Sequence, residues 1–217
     1  MFGKMAYNSV IPRRNVRVLE GRTLEALRRM IETQGVGIGK DIVKVDMFLN
    51  HRIDTGLLFR MGEAWAEAFR EDAPDVVLTV EASGIAMAVA AAHALGDLPV
   101  VFAKKSATVV QNDAMLQAPV YSFTHKTQNI IRLDRRYLPE GSRVLIIDDF
   151  LADGEAVRGM MALCEQAGAH PVGVGIAVEK GFQPGGKRLR EAGVKVLSLA
   201  IVDGIEDGII LLRPEEG

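Results

Sequence analysis

The amino-acid sequence predicts one α/β domain built on a mostly parallel central sheet flanked by helices. Three observations lead to this class. The chain has 217 residues, which is enough for a single domain with a substantial core. Short apolar segments rich in β-branched residues alternate with segments of helical periodicity, as in parallel strands joined by helices. The apolar segments are continuous, as expected for strands that are covered on both faces of the sheet.

The individual elements follow from the apolar pattern and from the glycines that interrupt it. A first helix is expected to begin near Leu24 and to end at Gly35. Three further helices are predicted, over residues 57–69, over residues 85–95 and from the loop at Gly154 to about Ala167. Five buried strands are predicted, at residues 75–80, 98–103, 143–148, 171–179 and 194–202.

Two segments do not follow the alternation of strands and helices. Residues 1–23 carry five basic residues and one acidic residue without apolar periodicity, so we expect a poorly ordered N-terminal extension. The folded, functional domain would then be formed by residues 24–217. Between Lys104 and about Arg143, polar residues, threonines and aromatics predict a small β-excursion or a mobile flap.

Composition excludes several classes of function. A formal net charge of -2 offers no electrostatic argument for binding to nucleic acid or to a membrane. Neither a signal peptide nor an apolar run of transmembrane length is present in the sequence. Cys164 is the single cysteine, so no intrachain disulfide is possible, which fits a reducing cytoplasm. The four histidines show no metal-ligand spacing.

Two carboxylates mark the end of the third predicted strand. Asp148 and Asp149 follow an apolar run, and a loop containing Gly154 then leads into a helix. Carboxylates accept hydrogen bonds from sugar hydroxyls or bind Mg²⁺, and backbone N–H groups at a helix N-terminus bind phosphate. Together they describe a site for a ribose 5-phosphate. The alternative is an acidic helix terminus that only offsets the helix dipole.

Two other strand ends carry residues suited to anions. Ser83 and Gly84 lie between a strand and a helix, where glycine lets the backbone approach an anion closely. Lys104 and Lys105 directly follow the next strand. Each feature alone is equally consistent with an ordinary turn or a solvated strand end. Ligands of open parallel sheets bind beyond the carboxyl ends of the strands, however, and all three features are predicted to lie there.

The blocks that carry this chemistry resemble a known family. "VLIIDDFLADGEA" (residues 144–156) resembles the phosphoribosyl-pyrophosphate (PRPP) motif of type I phosphoribosyltransferases. "VDMFLNH" (45–51) and "EKGFQPG" (179–185) are similar to blocks of the bacterial xanthine phosphoribosyltransferases, and further blocks match in order from about Leu24. The resemblance implies the type I phosphoribosyltransferase fold, with a small N-terminal hood and a flexible loop. Residues 1–23 lie outside it.

The resemblance also implies an activity and its partners. The reaction would transfer the phosphoribosyl group of PRPP to xanthine, giving xanthosine monophosphate (XMP) and pyrophosphate in purine salvage. Mg²⁺ would be carried with PRPP, close to the acidic pair, and the chain would form a cytoplasmic homodimer. A hypoxanthine/guanine enzyme is one alternative. A non-catalytic PRPP-sensing regulator on the same fold, or an unrelated nucleotide-binding protein, belongs to a different class.

The resemblance assigns roles to individual residues. Asp148 and Asp149 would be catalytic and face the ribose hydroxyls. The residues expected to bind PRPP through its phosphates are Ala152, Asp153, Gly154, Glu155, Ala156, Ser83, Gly84 and Lys105. The residues expected to bind xanthine are Val43, Asn50 and Lys180. Residues 105–125 would form a lid that excludes water from the reaction.

The chemistry of these side chains agrees with such roles, with one departure. Lys180 has only donors, which suits an oxopurine, and Asn50 offers both a donor and an acceptor. The alternatives are a salt bridge for Lys180 and a turn or cap for Asn50. Asp153 occupies a position where the xanthine enzymes favour Asn, and a carboxylate there repels phosphate. We therefore expect Asp153 to turn outward, capping the helix or pairing with an arginine such as Arg158.

Overall fold

The computed structural model describes residues 24–105, 114–122 and 127–214. Within these ranges a six-stranded sheet lies between helices on both faces, with a small hairpin at each of two corners. The α-helices are α1 (Glu25–Gln34), α2 (Thr55–Phe69), α3 (Gly84–Ala94), α4 (Glu155–Ala167) and α5 (Gly185–Glu191). None of the helices in the described part of the chain is long and apolar enough to cross a membrane.

Ten strands are present in the described residues, six in the main sheet and two in each hairpin. In the main sheet they are β3 (Val76–Val80), β4 (Val100–Ala103), β7 (Arg143–Leu151), β8 (His170–Lys180), β9 (Val196–Glu206) and β10 (Ile209–Leu212). In the hairpins they are β1 (Val36–Ile38), β2 (Ile42–Lys44), β5 (Met115–Ser122) and β6 (Thr127–Asp134).

The main sheet has the strand order β10-β9-β8-β7-β3-β4. All neighbouring strands are parallel except β10, which pairs antiparallel with β9. The direction in which successive strands are added changes at β3. The chain forms β4 at the edge of the sheet and then returns to form β7 on the other side of β3. Such a reversal leaves a crevice at the carboxyl ends of the strands, which is where ligands of open α/β sheets bind.

Two apolar cores, one on each face of the sheet, hold the strand ends in place. The first packs α1, α2 and α3 against the sheet and is centred on Trp65, which is fully buried. The second packs α4 and the β5–β6 hairpin against the other face and contains Met160 and the single cysteine, Cys164. Burial raises the pKa of the Cys164 thiol to about 12, so this cysteine is a packing residue.

The hood is the β1–β2 hairpin together with the turns that follow it. The hairpin is held at the β10 edge of the sheet, where the Gly37 N–H donates to the Gly208 carbonyl at 3.0 Å. The second hairpin, β5–β6, packs on α4 and joins the end of β4 through paired hydrogen bonds between Lys104 and Arg132. The predicted β-excursion between residues 104 and 143 is therefore confirmed for residues 115–122 and 127–134.

The predicted fold class, a mostly parallel sheet flanked by helices, is confirmed, with some shifts in boundaries. β7 continues three residues past the predicted end at Asp148, because β8 is long enough to pair with it as far as Leu151. The hood strands, α5 and β10 were not predicted as elements. The extension at residues 1–23 and much of the expected lid at 105–125 lie outside the described residues.

Candidate active site

The chemically distinctive strand ends meet at one edge of the sheet. β3, β7 and β8 are consecutive neighbours, and β4 lies beside β3. Asp148 pairs in register with Ile176, and Leu151 pairs with Glu179. The acidic pair, the loop after β3, the loop after β4 and the end of β8 therefore surround one crevice, as the sequence predicts.

The two carboxylates of the acidic pair have different environments. Asp148 is only 4% exposed, and its Oδ1 accepts a hydrogen bond from the Asp149 N–H at 3.0 Å. Burial, and then the negative charge of Asp149, raise the pKa of Asp148 well above its ordinary value. Asp149 is half-buried, and its Oδ1 accepts from the Phe150 N–H at 3.0 Å. Asp149 is therefore the more accessible carboxylate of the pair, and Asp148 is buried.

The start of α3 lies directly on Asp148. A Cβ atom on Gly84 would lie 3.3 Å from the Asp148 Oδ1 and would collide with the hydroxyl of Thr79. Thr79 is fully buried, and its Oγ1 has no hydrogen-bond partner among the described residues. Ser83 is half-buried at the N-terminus of the helix. Gly84 is thus required by close packing against the acidic strand end, and this packing holds the Ser83 loop over Asp148.

Lys105 joins the loop after β4 to the loop after β3. Its backbone N–H donates to the Glu81 carboxylate at 2.5 Å, and its side chain is exposed. The positive charge of Lys105 acts on Asp148 and partly offsets the rise in the pKa of that carboxyl. The structure therefore places the charge of Lys105 close enough to act on the acidic pair, and its binding to pyrophosphate stays a prediction.

The loop between β7 and α4 has the geometry of an anion site. Gly154 has a φ of +86°, a left-handed conformation that favours glycine, and it immediately precedes the first residue of α4. Ala152 is half-buried, and its carbonyl accepts a hydrogen bond from the Gly185 N–H at 3.0 Å. The carbonyl of this residue is thus turned toward α5. Ala156 lies in the first turn of α4, where free backbone N–H groups favour a phosphate.

The two acidic residues of this loop differ in their partners. Glu155 is hydrogen-bonded to Arg158, with 2.6 Å between Oε1 and Nη1. Arg158, the arginine expected to pair with Asp153, forms its ion pair with Glu155 instead. Asp153 is half-buried, and its charge instead acts on Lys180 across the site. The departure from the family pattern at Asp153 thus affects the residue expected to bind the purine.

Lys180 is the last residue of β8 and lies beneath the hood. Its Nζ donates to the main-chain carbonyl of Asp41 at 2.7 Å and lies 5.9 Å from the ring centroid of Phe150. Burial lowers the pKa of Lys180, and the negative charges of Asp41 and Asp153 oppose that effect. An ammonium group has three donors, so the bond to Asp41 leaves N–H groups for an oxygen of a ligand.

The other two residues expected to bind the base belong to the hood. Val43 is 7% exposed, and its side chain is part of the first core, so its contact with a base stays a prediction. Asn50 is half-buried, and its Oδ1 is buried without a hydrogen-bond partner in the described part of the chain. An unpaired buried acceptor is costly, and a ring N–H of a bound base would satisfy it.

The oxygen atoms available to a metal ion are few. The described residues contain no group of three or more His, Cys, Asp or Glu side chains that could hold a metal ion. Asp149 supplies one accessible carboxylate at the crevice. This set fits Mg²⁺, which commonly binds proteins through one or two carboxylates while substrate phosphates and water complete its octahedron.

Several residues that shape the site were missed in the sequence. Three of them lie under the loops around the crevice, namely Thr79, Glu179 and Arg190. The fourth is Asp41, whose carbonyl lies in the hood. One sequence signal was available: Glu179 is an acidic residue inside a continuous apolar strand, which is uncommon unless the charge is paired. Its partner, Arg190, lies in a short helix that the apolar pattern did not indicate.

Comparison with known proteins agrees with this geometry. The profile of the family described as phosphoribosyl transferase domain matches residues 52–206. An adenine phosphoribosyltransferase from Rhodothermus marinus superposes with a TM-score of 0.66 and 26% identity, covering 82% of this chain and 98% of that one. Another, from Trypanosoma brucei, shares the fold with a TM-score of 0.66 at 16% identity, over 81% of this chain and 78% of its own. The chain belongs to the phosphoribosyltransferase family and has the type I fold.

The curated relatives narrow this class. The chain is 47% identical over 192 residues to the xanthine phosphoribosyltransferase of Bifidobacterium adolescentis, covering 88% of this chain and 100% of the relative. It is 46% identical to those of Laribacter hongkongensis and Bacillus cereus, over 85% and 89% of this chain and 97% and 98% of the relatives. Within the family, the chain groups with the xanthine phosphoribosyltransferases.

Proposed function

We propose that this protein transfers the 5-phosphoribosyl group of PRPP to xanthine, giving XMP and pyrophosphate. The observation that carries the choice of base is the position of Lys180. A donor-only side chain at the end of β8 meets the hood at Asp41, on the side of the crevice opposite the pyrophosphate loops. A donor at this position favours an exocyclic oxygen over the exocyclic amine of adenine. The names of the relatives support the same base.

Different residues of the chain act on different parts of the PRPP molecule during the proposed reaction. The bond from C1 of the ribose to pyrophosphate breaks, and a bond from C1 to a purine ring nitrogen forms. Positive charge develops on the ribose and negative charge on the leaving group. Asp149 binds the ribose hydroxyls and stabilises the cationic ring, while Lys105 and the loop at Ser83 stabilise the pyrophosphate. Backbone N–H groups from Gly154 to Ala156 hold the 5-phosphate in place.

Mg²⁺ is proposed to enter the site with PRPP. When bound, it would neutralise charge on the leaving pyrophosphate. Its expected protein ligand is Asp149, since Asp148 is buried and its carboxyl pKa is raised. Titration of PRPP binding with and without Mg²⁺, in the wild type and in Asp149→Asn, tests this assignment. A similar Mg²⁺ dependence in both proteins would contradict it.

Xanthine carries an oxygen at the 2-position, where guanine has an amine and hypoxanthine has a hydrogen. Lys180 offers donors to an exocyclic oxygen, which separates the oxopurines from adenine, and Asn50 offers a buried acceptor for a ring N–H. The test is a pyrophosphate-release assay with PRPP and each of xanthine, guanine, hypoxanthine and adenine. We expect the largest kcat/KM with xanthine. A larger value with guanine or hypoxanthine would assign the protein to the alternative enzyme, and a larger value with adenine would contradict the role of Lys180.

A homodimer and a cytoplasmic location are proposed on narrower grounds. Phe59 on α2 and Val89 on α3 are each about half exposed, which favours burial against another surface. A groove of about 680 Å³, lined by Phe59 and by His93 among others, lies between the two helices. The single, buried Cys164 suits a reducing compartment. Sedimentation equilibrium would measure the oligomeric state, and a monomer at micromolar concentration would contradict the dimer.

A further inference from the structure

A buried ion pair lies on the opposite face of β8 from Lys180. Glu179 is 3% exposed and accepts two hydrogen bonds from Arg190, at 2.8 Å and 2.7 Å. Its second oxygen also accepts from the Ser198 hydroxyl at 2.5 Å. Burial raises the pKa of Glu179, but the hydrogen bonds and charge of Arg190, with smaller effects of Ser198 and Arg213, lower it below its ordinary value overall. Glu179 therefore stays charged and fixed in the folded protein.

The carboxylate of Glu179 also fixes the start of α5. A Cβ atom on Gly186 would collide with the Glu179 Oε1 and would lie 2.7 Å from Nη1 of Arg190. The helix backbone therefore lies directly against the ion pair at its first turn. Arg190 belongs to the last turn of the same helix, so the pair holds α5 at both ends.

α5 in turn touches the phosphate loop, backbone against backbone. The Gly185 N–H donates to the Ala152 carbonyl at 3.0 Å. A Cβ atom on Gly185 would lie 2.6 Å from the Gly154 nitrogen, and one on Gly154 would lie 3.3 Å from the Gly185 Cα. With no side chains between them, a shift of α5 is passed directly to the loop at Ala152–Gly154.

Glu179 is thus connected to both ends of the substrate site. Adjacent residues of a strand point to opposite faces of the sheet, so fixing Glu179 also fixes the backbone that projects Lys180 toward the hood. Through Arg190 and α5, the same carboxylate supports the phosphate loop. We propose that Arg190 is a positioning residue, which sets the separation between the purine-binding and phosphate-binding sides of the site by holding Glu179. This inference rests on the proposed function.

The identity of the residue matters as well as its charge. An arginine guanidinium binds a carboxylate through two parallel N–H groups, whereas a lysine ammonium acts as a single point charge. Arg190→Lys would keep the charge but lose the fixed orientation of α5. Arg190→Met would lose both. When the groups that bind the two substrates are displaced relative to each other, each contacts its substrate less well, so we expect weaker binding of both substrates.

The test measures KM for PRPP, KM for xanthine, kcat and Tm in Arg190→Lys and Arg190→Met. The matched control is Lys187→Met, which removes a cation from the same helix that is paired with the exposed Glu191 at 3.8 Å. We expect KM for both substrates to rise about tenfold in Arg190→Met and by a smaller factor in Arg190→Lys. Both KM values should be unchanged in Lys187→Met.

This measurement separates positioning from mere stability. A variant that is only partly folded has fewer active molecules, so its apparent kcat falls, while the KM of the active molecules stays at the wild-type value. Unchanged KM values in Arg190→Met, with a lower kcat or Tm, would overturn the proposal. So would an equal rise in KM in Lys187→Met. Inactivity of the wild type with every base would contradict the proposed function instead.

Ser198→Ala keeps the test decisive if neither Arg190 variant folds. This substitution removes one hydrogen bond to Glu179 and leaves the two hydrogen bonds from Arg190 intact. We expect a two- to threefold rise, roughly, in KM for both substrates, because the carboxylate is less firmly held. Wild-type KM values for both substrates in Ser198→Ala would then overturn the proposal.

Discussion

The proposed phosphate side and the proposed purine side of the site are built in different ways. The phosphate side consists of consecutive residues, from Asp148 through the loop at Gly154 into α4. The purine side joins Lys180 to Asp41, 139 positions away in the chain. A local motif specifies the first, and packing among α5, β8 and the hood specifies the second. The two sides should therefore respond differently to substitution.

The largest effect is expected from Asp149→Ala on the phosphate side. This change removes the accessible carboxylate of the acidic pair and leaves the buried Asp148 in place. We expect kcat/KM for PRPP to fall by about a hundredfold or more, because groups that stabilise developing charge contribute on this scale. Far-ultraviolet circular dichroism should show an unchanged fold.

Glu165→Ala is the matched control for Asp149→Ala. It removes an exposed carboxylate from the far end of α4 and should leave kcat/KM unaltered. If Asp149→Ala retained wild-type kcat/KM, the pair would be no more than a charge that offsets the helix dipole, and the comparison between the two sides would lose its basis.

Lys180→Met should produce the next largest effect, and on the purine side alone. A hydrogen bond to a charged group contributes about 1.5–3 kcal/mol, so kcat/KM for xanthine should fall roughly ten- to a hundredfold. KM for PRPP should change little, since the ammonium of Lys180 is hydrogen-bonded to the hood at Asp41. Lys187→Met, an exposed lysine seven residues further on, is the control. A rise in KM for PRPP equal to the loss with xanthine would show that Lys180 does not belong to one side.

The difference in construction also explains what the sequence could predict. Strands β3, β7 and β8 and helix α4 were located correctly, because continuous apolar runs and glycine stops are local signals. The positions of the acidic pair near the end of β7 and of Gly154 before α4 were predicted for the same reason. The shared location of the strand ends followed from the general rule for parallel sheets.

The remaining features depend on contacts that no local pattern specifies. The carbonyl of Asp41 could not be predicted as the partner of Lys180, because any residue supplies the same main-chain oxygen. The pairing of Arg190 with Glu179 depends on where a seven-residue helix lies on the sheet. The hood strands are three residues each, too short for a periodicity to be recognised.

Asp153→Asn should have a smaller effect, on pH dependence, and it tests whether the two sides act on each other. The negative charge of Asp153 opposes the lowering of the pKa of Lys180, so removing it should lower that pKa further. The alkaline limb of kcat/KM for xanthine should then move to lower pH by less than about one unit, because solvent screens the pair. KM for PRPP should change little.

Glu155→Gln is the control for that charge effect. It removes an equal charge from the same loop, but from a carboxylate that is bound to Arg158, so the alkaline limb should not move. Equal shifts in both variants would indicate a general effect of charge in the loop. A severalfold drop in KM for PRPP in Asp153→Asn would show that the carboxylate points at the phosphate.

Removal of residues 1–22 should have the smallest effect, because this segment has no apolar periodicity and lies outside the family resemblance. The Leu24 N–H donates to the Leu199 carbonyl at 2.8 Å, and Leu27 is buried in the first core. The start of the domain is therefore anchored by its own residues. We expect kcat/KM within about twofold of wild type and a Tm change below about 2 °C, which corresponds to less than 1 kcal/mol in a domain of this size.

A longer deletion, through Ile31, is the matched control and should lower Tm strongly, because it removes two buried side chains of α1. A loss of activity in the shorter deletion, at unchanged Tm, would mean that the basic extension contributes to the site, and the division into two sides would need a third component.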